Sequence, residues 1–256
     1  MAADLKPVAG ARLRAGPAKT EWMHQMASRS RDPARTRDKI LTQATREFAN
    51  KGFDGARVDA IALRCKLSKN MLYYYFGSKE GLFVAVLERM YEKLRMQQKD
   101  LAVRASDPVV ALEQLVHHTF NAFLENPEAI RLMNEENRHK GRHIRQSQRM
   151  RELYNPLVET IRFILTRGHE DGVFRAGVDP AFIYLTLASL CYHYLSNQYT
   201  LEVALGVDLG SRKTRDAWLT HIADLLKSFC AQATDSSAVN GTAVRKGSRR
   251  ALRASS

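Results

Sequence analysis

Cysteine is scarce in this sequence. The 256 residues include only 3, Cys65, Cys191 and Cys230, far apart and odd in number. A disulfide scaffold is therefore excluded and a reducing, cytoplasmic setting is expected. Each thiol falls inside an apolar helical pattern, where a small buried side chain is well accommodated. Long apolar runs are missing too. No early segment reads as a signal peptide, and Ile183 to Leu195 is short and interrupted by Thr186, Ser189 and His193, so neither export nor membrane insertion is expected. Sustained period-two alternation is also lacking. The apolar segments are mostly longer than typical strands, which argues against a parallel-sheet enzyme and for an all-α chain.

Acidic residues are in deficit, 27 against 40 Lys and Arg, and the formal net charge of +13 suits a polyanionic partner. Much of the excess lies at the two ends, in Arg12, Arg14, Lys19, Arg29 and Arg31 and in Arg245, Lys246, Arg249, Arg250 and Arg253. Both ends are poor in large apolar side chains, so residues 1–32 and 232–256 read as solvated, disordered basic tails. Catalytic signatures are equally absent: there is no P-loop, dinucleotide glycine fingerprint, serine nucleophile elbow or zinc-protease helix. His139 and His143 are four apart, but Gly141 interrupts them and Lys140 and Arg142 would repel a cation. His169-Glu170-Asp171 reads as a helix end. Cys191 and His193, two apart, point in different directions on a helix. No catalytic residue, metal site or cofactor is expected.

What the sequence does contain begins at Pro33. Ile40, Leu41, Ala44, Phe48 and Ala49 recur at helical spacing behind a candidate cap, Asp32, and Gly52 ends this first helix. Val58, Ile61, Ala62 and Cys65 stripe a second, shorter helix. Lys66, Leu67 and Ser68 then separate it from a third over Lys69–Tyr75, and Ser78 caps a fourth bearing Leu82, Phe83, Val86, Leu87, Met90 and Leu94. Two short helices joined by a tight turn and braced by a longer one form the unit that presents its second helix to the DNA major groove. Leu72 and Phe76 are spaced to anchor that helix, leaving Lys69, Asn70 and Tyr73 on a neighbouring face. Asparagine can read adenine through two hydrogen bonds, Met71 can touch a thymine methyl, and tyrosine hydroxyls and Lys79 can hold phosphates.

Ile40-Leu41 through Phe48, Gly52-Phe53, Val58, Ile61-Ala62, Leu67-Ser68-Lys69 and Leu72-Tyr73-Tyr74-Tyr75-Phe76-Gly77-Ser78-Lys79-Glu80 resemble the DNA-binding domain of the TetR (tetracycline-repressor-like) family. The resemblance covers roughly residues 34–83. It implies groove-facing roles for Lys69, Asn70, Met71, Tyr73 and Tyr74 and phosphate contacts for Arg57, Tyr75 and Lys79. The pattern departs from the family at Lys66, where many members have glycine, and at Arg57, where Ser or Thr commonly caps the second helix.

A weaker resemblance to C-terminal domains of the same family runs through Asn134-Glu135-Glu136, Gly141-Arg142-His143, Pro156-Leu157, Gly172-Val173-Phe174-Arg175 and Leu195-Ser196-Asn197. It implies a larger helical domain, residues 84–231 after a DNA-binding domain of 33–83, that binds an unknown small-molecule effector and forms a homodimer. Dimerisation is expected through two last helices, about Asp179–Tyr199 and Ser211–Ala231. Their stripes are Ile183, Leu187, Leu190 and Tyr194, and Trp218, Ile222, Leu225, Leu226 and Phe229; the same stripes could instead serve the monomer core. Candidate effector contacts are His117, Phe120, Phe123, Tyr154, Tyr192 and His193. The expectation is a repressor released from a palindromic double-stranded DNA operator. The alternatives are a nonspecific basic DNA-binding protein and an all-α enzyme or small-molecule carrier.

Overall fold

The computed structural model describes residues 32–96 and 107–232, with the side chains of Tyr154 and Asn155 excepted. The basic ends therefore lie outside the described residues, apart from Asp32 and Gln232. Among the described residues the chain forms ten α-helices and one short 3-10 turn: α1 Pro33–Gly55, α2 Val58–Cys65, α3 Lys69–Phe76, α4 Lys79–Met96, α5 Pro108–Leu124, α6 Pro127–Arg138, the 3-10 turn Ile144–Gln146, α7 Met150–Glu170, α8 Pro180–Ser196, α9 Gln198–Leu205 and α10 Arg212–Cys230. No strand is present among them beyond an isolated antiparallel bridge between Phe174 and Ala231. Among the described residues no helix is long and apolar enough to cross a membrane. The chain divides into two compact units, one ending at Val86 and the other beginning at Leu87.

In the N-terminal unit, Asp32 caps α1 by accepting from the Arg35 amide at 3.0 Å, and Pro33 occupies the first turn, where its missing N–H costs nothing. Gly52 kinks the helix by taking φ 68°, a conformation glycine alone adopts without penalty. The chain then turns helically to Gly55. That kink seats Phe53 beside Phe83, with ring centroids 5.2 Å apart, while Phe48 meets Phe83 edge-on at 4.8 Å. With Ile40, Ile61, Leu72 and Leu82 these rings form the unit's core, each large side chain contributing about 1.5–3 kcal/mol by leaving water.

In the C-terminal unit, α5 packs against α7, α8 and α10. Its buried face carries Leu112, Leu115 and Phe120, opposed by Ile161, Ile164, Ile183, Leu187, Ile222 and Leu226. Aspartate and serine caps set the entries: Asp107 accepts from the Val109 amide, Asp179 from that of Ala181 and Ser211 from that of Thr214. The end of α10 is stitched to the turn after α7. The Arg175 amide donates to the Cys230 carbonyl at 2.8 Å, Arg175 Nε to the Phe229 carbonyl at 2.8 Å, and Gln232 Nε2 to the Phe174 carbonyl at 3.2 Å.

Two expectations need correction. The helix expected over Asp179–Tyr199 breaks at Asn197, whose φ of −111° and ψ of 11° leave the helical region. Its amide and side-chain Nδ2 both donate to the His193 carbonyl, so α8 stops and α9 restarts. The stripes expected at a dimer contact mostly belong to the monomer core: Ile183, Leu187, Tyr194, Ile222 and Leu226 are buried within one chain. Leu225 and Phe229 of the expected α10 stripe do remain exposed, as do Phe182 and Leu185 on α8, which the expected stripe left out.

Candidate nucleic-acid interface

Between α2 and α3 the chain reverses in three residues. Lys66 adopts the left-handed conformation (φ 54°, ψ 43°), and the Leu67 amide donates to the Ala62 carbonyl at 3.0 Å, closing the end of α2 as a glycine-type cap would. Ser68 Oγ then accepts from the Met71 amide at 3.3 Å and starts α3. The left-handed turn forms even though a lysine occupies it. At the far end Gly77 ends α3 with positive φ, and Ser78 Oγ accepts from the Gly81 amide at 3.0 Å.

This turn and its caps fix which side of α3 faces outward. Leu72 is buried, Lys69, Asn70, Tyr73 and Tyr74 are exposed, and Met71 and Tyr75 are half-buried. Phe76, expected as a second core anchor, is only half-buried; the Arg37 guanidinium covers its ring at 5.3 Å, an arrangement that holds the ring without closing it from water. Tyr74 and Tyr75 meet edge to face at 5.5 Å. Lys69 Nζ lies 3.2 Å from Asp59 and 5.9 Å from the centre of the Tyr73 ring. Lys79 is half-buried: its Nζ donates to the Asp54 carbonyl at 3.3 Å and sits over the Phe53 ring, so it also pins the end of α1. Arg57 is exposed and makes no side-chain cap at the start of α2.

The missing cap is replaced by a residue that the sequence reading overlooked. Glu47 on α1 is buried, yet its carboxylate pairs with Lys51 at 2.9 Å and Arg64 at 2.6 Å and accepts from the Arg57 amide at 3.3 Å. Burial alone would raise its pKa. The hydrogen bonds from Lys51, Arg64 and the Arg57 amide outweigh that effect and hold it below its ordinary value. Glu47 thus ties α1 to both ends of α2. The signal was legible in principle, since an acid interrupts the apolar stripe of Ile40, Ala44 and Phe48.

The effector candidates in the C-terminal unit are scattered. Phe120 is buried against Tyr194 at 5.6 Å, and Phe123 is buried with its ring 6.1 Å from half-buried Tyr192. Tyr192 hydroxyl donates to Asn134. His117 and His193 are exposed. The Tyr154 side chain lies outside the described residues. Of the five candidates whose side chains are described, Phe123 alone lines the small cleft bounded by Arg95, Thr119 and Tyr184.

A helix-turn-helix head with an outward-facing second helix, followed by a larger all-helical domain, defines a DNA-binding transcriptional regulator rather than an enzyme. Residues 40–86 match the domain of bacterial regulatory proteins of the tetR family, and residues 108–226 match a tetracyclin repressor-like C-terminal domain. The chain belongs to the TetR family. It is 40% identical over 197 residues to the HTH-type transcriptional repressor NicS of Pseudomonas putida, covering 77% of this chain and 93% of that protein. The HTH-type transcriptional repressor SCO4008 of Streptomyces coelicolor is 28% identical, over 73% of this chain and 93% of its own length. Among solved structures, the transcriptional regulator SCO4942 of Streptomyces coelicolor superimposes with a TM-score of 0.57 at 26% identity, covering 74% of this chain and 97% of that one.

Proposed function

We propose that this chain is a homodimeric repressor that holds a roughly palindromic operator and leaves it when a small-molecule effector binds the C-terminal domain. The outward face of α3 carries the reading: Lys69, Asn70, Tyr73 and Tyr74 are exposed on a helix that Leu72 fixes to the core. In that reading Asn70 and Met71 read base edges with Lys69, Tyr73 and Tyr74 beside them, while Arg57, Tyr75 and Lys79 hold the backbone. The repressor sense draws on NicS and SCO4008, both named as repressors. The homodimer draws on Phe182, Leu185, Leu225 and Phe229, large apolar side chains that one chain leaves in water. An effector releases DNA only by binding the DNA-incompetent conformation more tightly. Moving the population from 99:1 to 1:99 takes about 5.5 kcal/mol of differential affinity.

The test is selection of bound sequences from a random duplex pool at near-physiological salt. The expected result is an enriched inverted repeat with half-sites about one helical turn apart. Replacing Asn70 by Ala should lower affinity for that repeat by about 1–3 kcal/mol and relax preference at one base pair per half-site, with little change on scrambled DNA. Equal binding of selected and scrambled DNA at every salt concentration would sink the specific-repressor reading and leave nonspecific DNA binding in its place.

A further inference from the structure

We propose that a surface cleft in the C-terminal unit, between the end of α7 and the start of α8, binds a small organic carboxylate. The cleft has a volume of about 220 Å3. That is below the roughly 300–1,000 Å3 of sites for drug-sized molecules, so its occupant is a compact one. Leu165, Val178 and Pro180 give it apolar walls, and Arg162, Thr166, His169 and Arg175 supply the polar groups.

The arginines set the charge of the ligand. A guanidinium carries five N–H donors in a rigid fork, and only Nε of each is accounted for by a neighbour. Arg175 gives Nε to the Phe229 carbonyl at 2.8 Å, stacks 4.5 Å from the Phe229 ring, and has its backbone amide on the Cys230 carbonyl. Its head is thereby held at a fixed place, so little rotamer freedom remains to be lost on binding. Arg162 gives Nε to Glu159 at 3.2 Å. The lining holds two arginines and no carboxylate, with Glu159 paired to Arg162 and Asp179 turned to the Ala181 amide, so the cleft favours an anion.

His169 narrows the assignment. Its Nδ1 faces the Phe174 carbonyl at 3.3 Å and must donate, because a carbonyl only accepts. With that nitrogen engaged, the anion falls to the arginines and the hydrocarbon to Leu165, Val178 and Pro180. Inorganic phosphate satisfies the arginines but leaves the apolar walls unused. The backbone around the site is rigid for a separate reason: Gly168 packs directly on the buried Phe174 ring, where a Cβ would come within 2.0 Å of it.

This site goes beyond the repressor reading, and its test contains no DNA, so failure of one leaves the other standing. The full chain is titrated with sodium benzoate, benzamide and inorganic phosphate, with ligand-observed NMR as the readout. Benzoate should bind with a Kd on the order of 1 mM, as its few heavy atoms allow. Benzamide and phosphate should each bind about tenfold more weakly or worse. Arg162→Gln and Arg175→Gln should each weaken benzoate by about tenfold, the loss of one charge-assisted hydrogen bond. Arg175 also secures the end of α10, so Arg162→Gln, which breaks only an exposed pair, decides the matter if Arg175→Gln unfolds. Benzamide or phosphate binding as well as benzoate, or full benzoate affinity in Arg162→Gln, would overturn the assignment.

Discussion

Glu47 carries a charge where Phe48 and Ala44 bury hydrocarbon, and its position is sustained only by Lys51, Arg64 and the Arg57 amide. Its folded pKa lies below the ordinary 4.5, so the stability it contributes is fully present above that value. The contribution disappears as the pH falls through the lower folded value. Thermal unfolding followed from neutral pH down into the acid range should show the N-terminal unit weakening below about pH 4.5, and Glu47→Gln should remove part of that acid sensitivity. Glu47→Ala should cost about 2 kcal/mol at neutral pH, less than the 3–5 of a fully buried pair because both cation heads remain half in water. Lys66 stores strain of the opposite kind. A left-handed lysine costs about 1–2 kcal/mol that glycine does not incur, offset by glycine's greater loss of chain entropy. Lys66→Gly should therefore raise the midpoint of denaturant unfolding by the equivalent of about 0.5–1 kcal/mol. An unchanged or lower midpoint would mean that the lysine side chain makes compensating contacts.

At the level of helices, local signals were the readable ones. Asp32, Ser78 and the breaks at Asp107-Pro108 and Asn126-Pro127 announce helix ends through chemistry that spans three or four residues, and the sequence places them correctly. The spacing of α1, α2 and α3 is legible for the same reason. The break at Asn197 is not, because the stretch from Ile183 to Tyr199 holds no glycine or proline and the helix is ended by one asparagine side chain folding back on His193. Nor does periodicity say which side of α8 is core. That helix has large apolar groups on more than one side, and only packing against α5 and α7 separates buried Ile183 and Leu187 from exposed Phe182 and Leu185. Glu47 escaped for a related reason, since its partners lie up to seventeen residues away. Where α7 meets the following turn, Gly168 is required by space: Gly168→Ala drives a methyl into the Phe174 ring. The variant should lose about 1–3 kcal/mol in chemical denaturation, the usual cost of overpacking.

In the proposed homodimer the whole molecule has to bring two copies of α3 to one operator. If the apolar face on α8 and α10 joins the copies, Phe182→Glu and Leu225→Glu should each halve the mass measured by light scattering after gel filtration. Operator affinity should then fall by about a hundredfold or more, because the second half-site loses its tethered partner. A dimer of unchanged mass in both variants would move the contact elsewhere. Burial also predicts the behaviour of the thiols: it pushes Cys191 up to about 12 and Cys230 up to about 11. Both should resist a thiol-reactive dye in the native protein near pH 8 and react once it is denatured, since the thiolate is the nucleophile.

The stitching of α10 to the turn after α7 also sets the limits for genetic manipulation. A stop codon placed before Phe229 would remove both carbonyls that hold Arg175 and the Ala231 side of the Phe174 bridge, slackening a turn more than fifty residues upstream. Reporter proteins and affinity handles therefore belong after Gln232, and nonsense alleles at Lys227, Ser228 or Phe229 should behave as loss of function despite retaining nearly the entire helical domain.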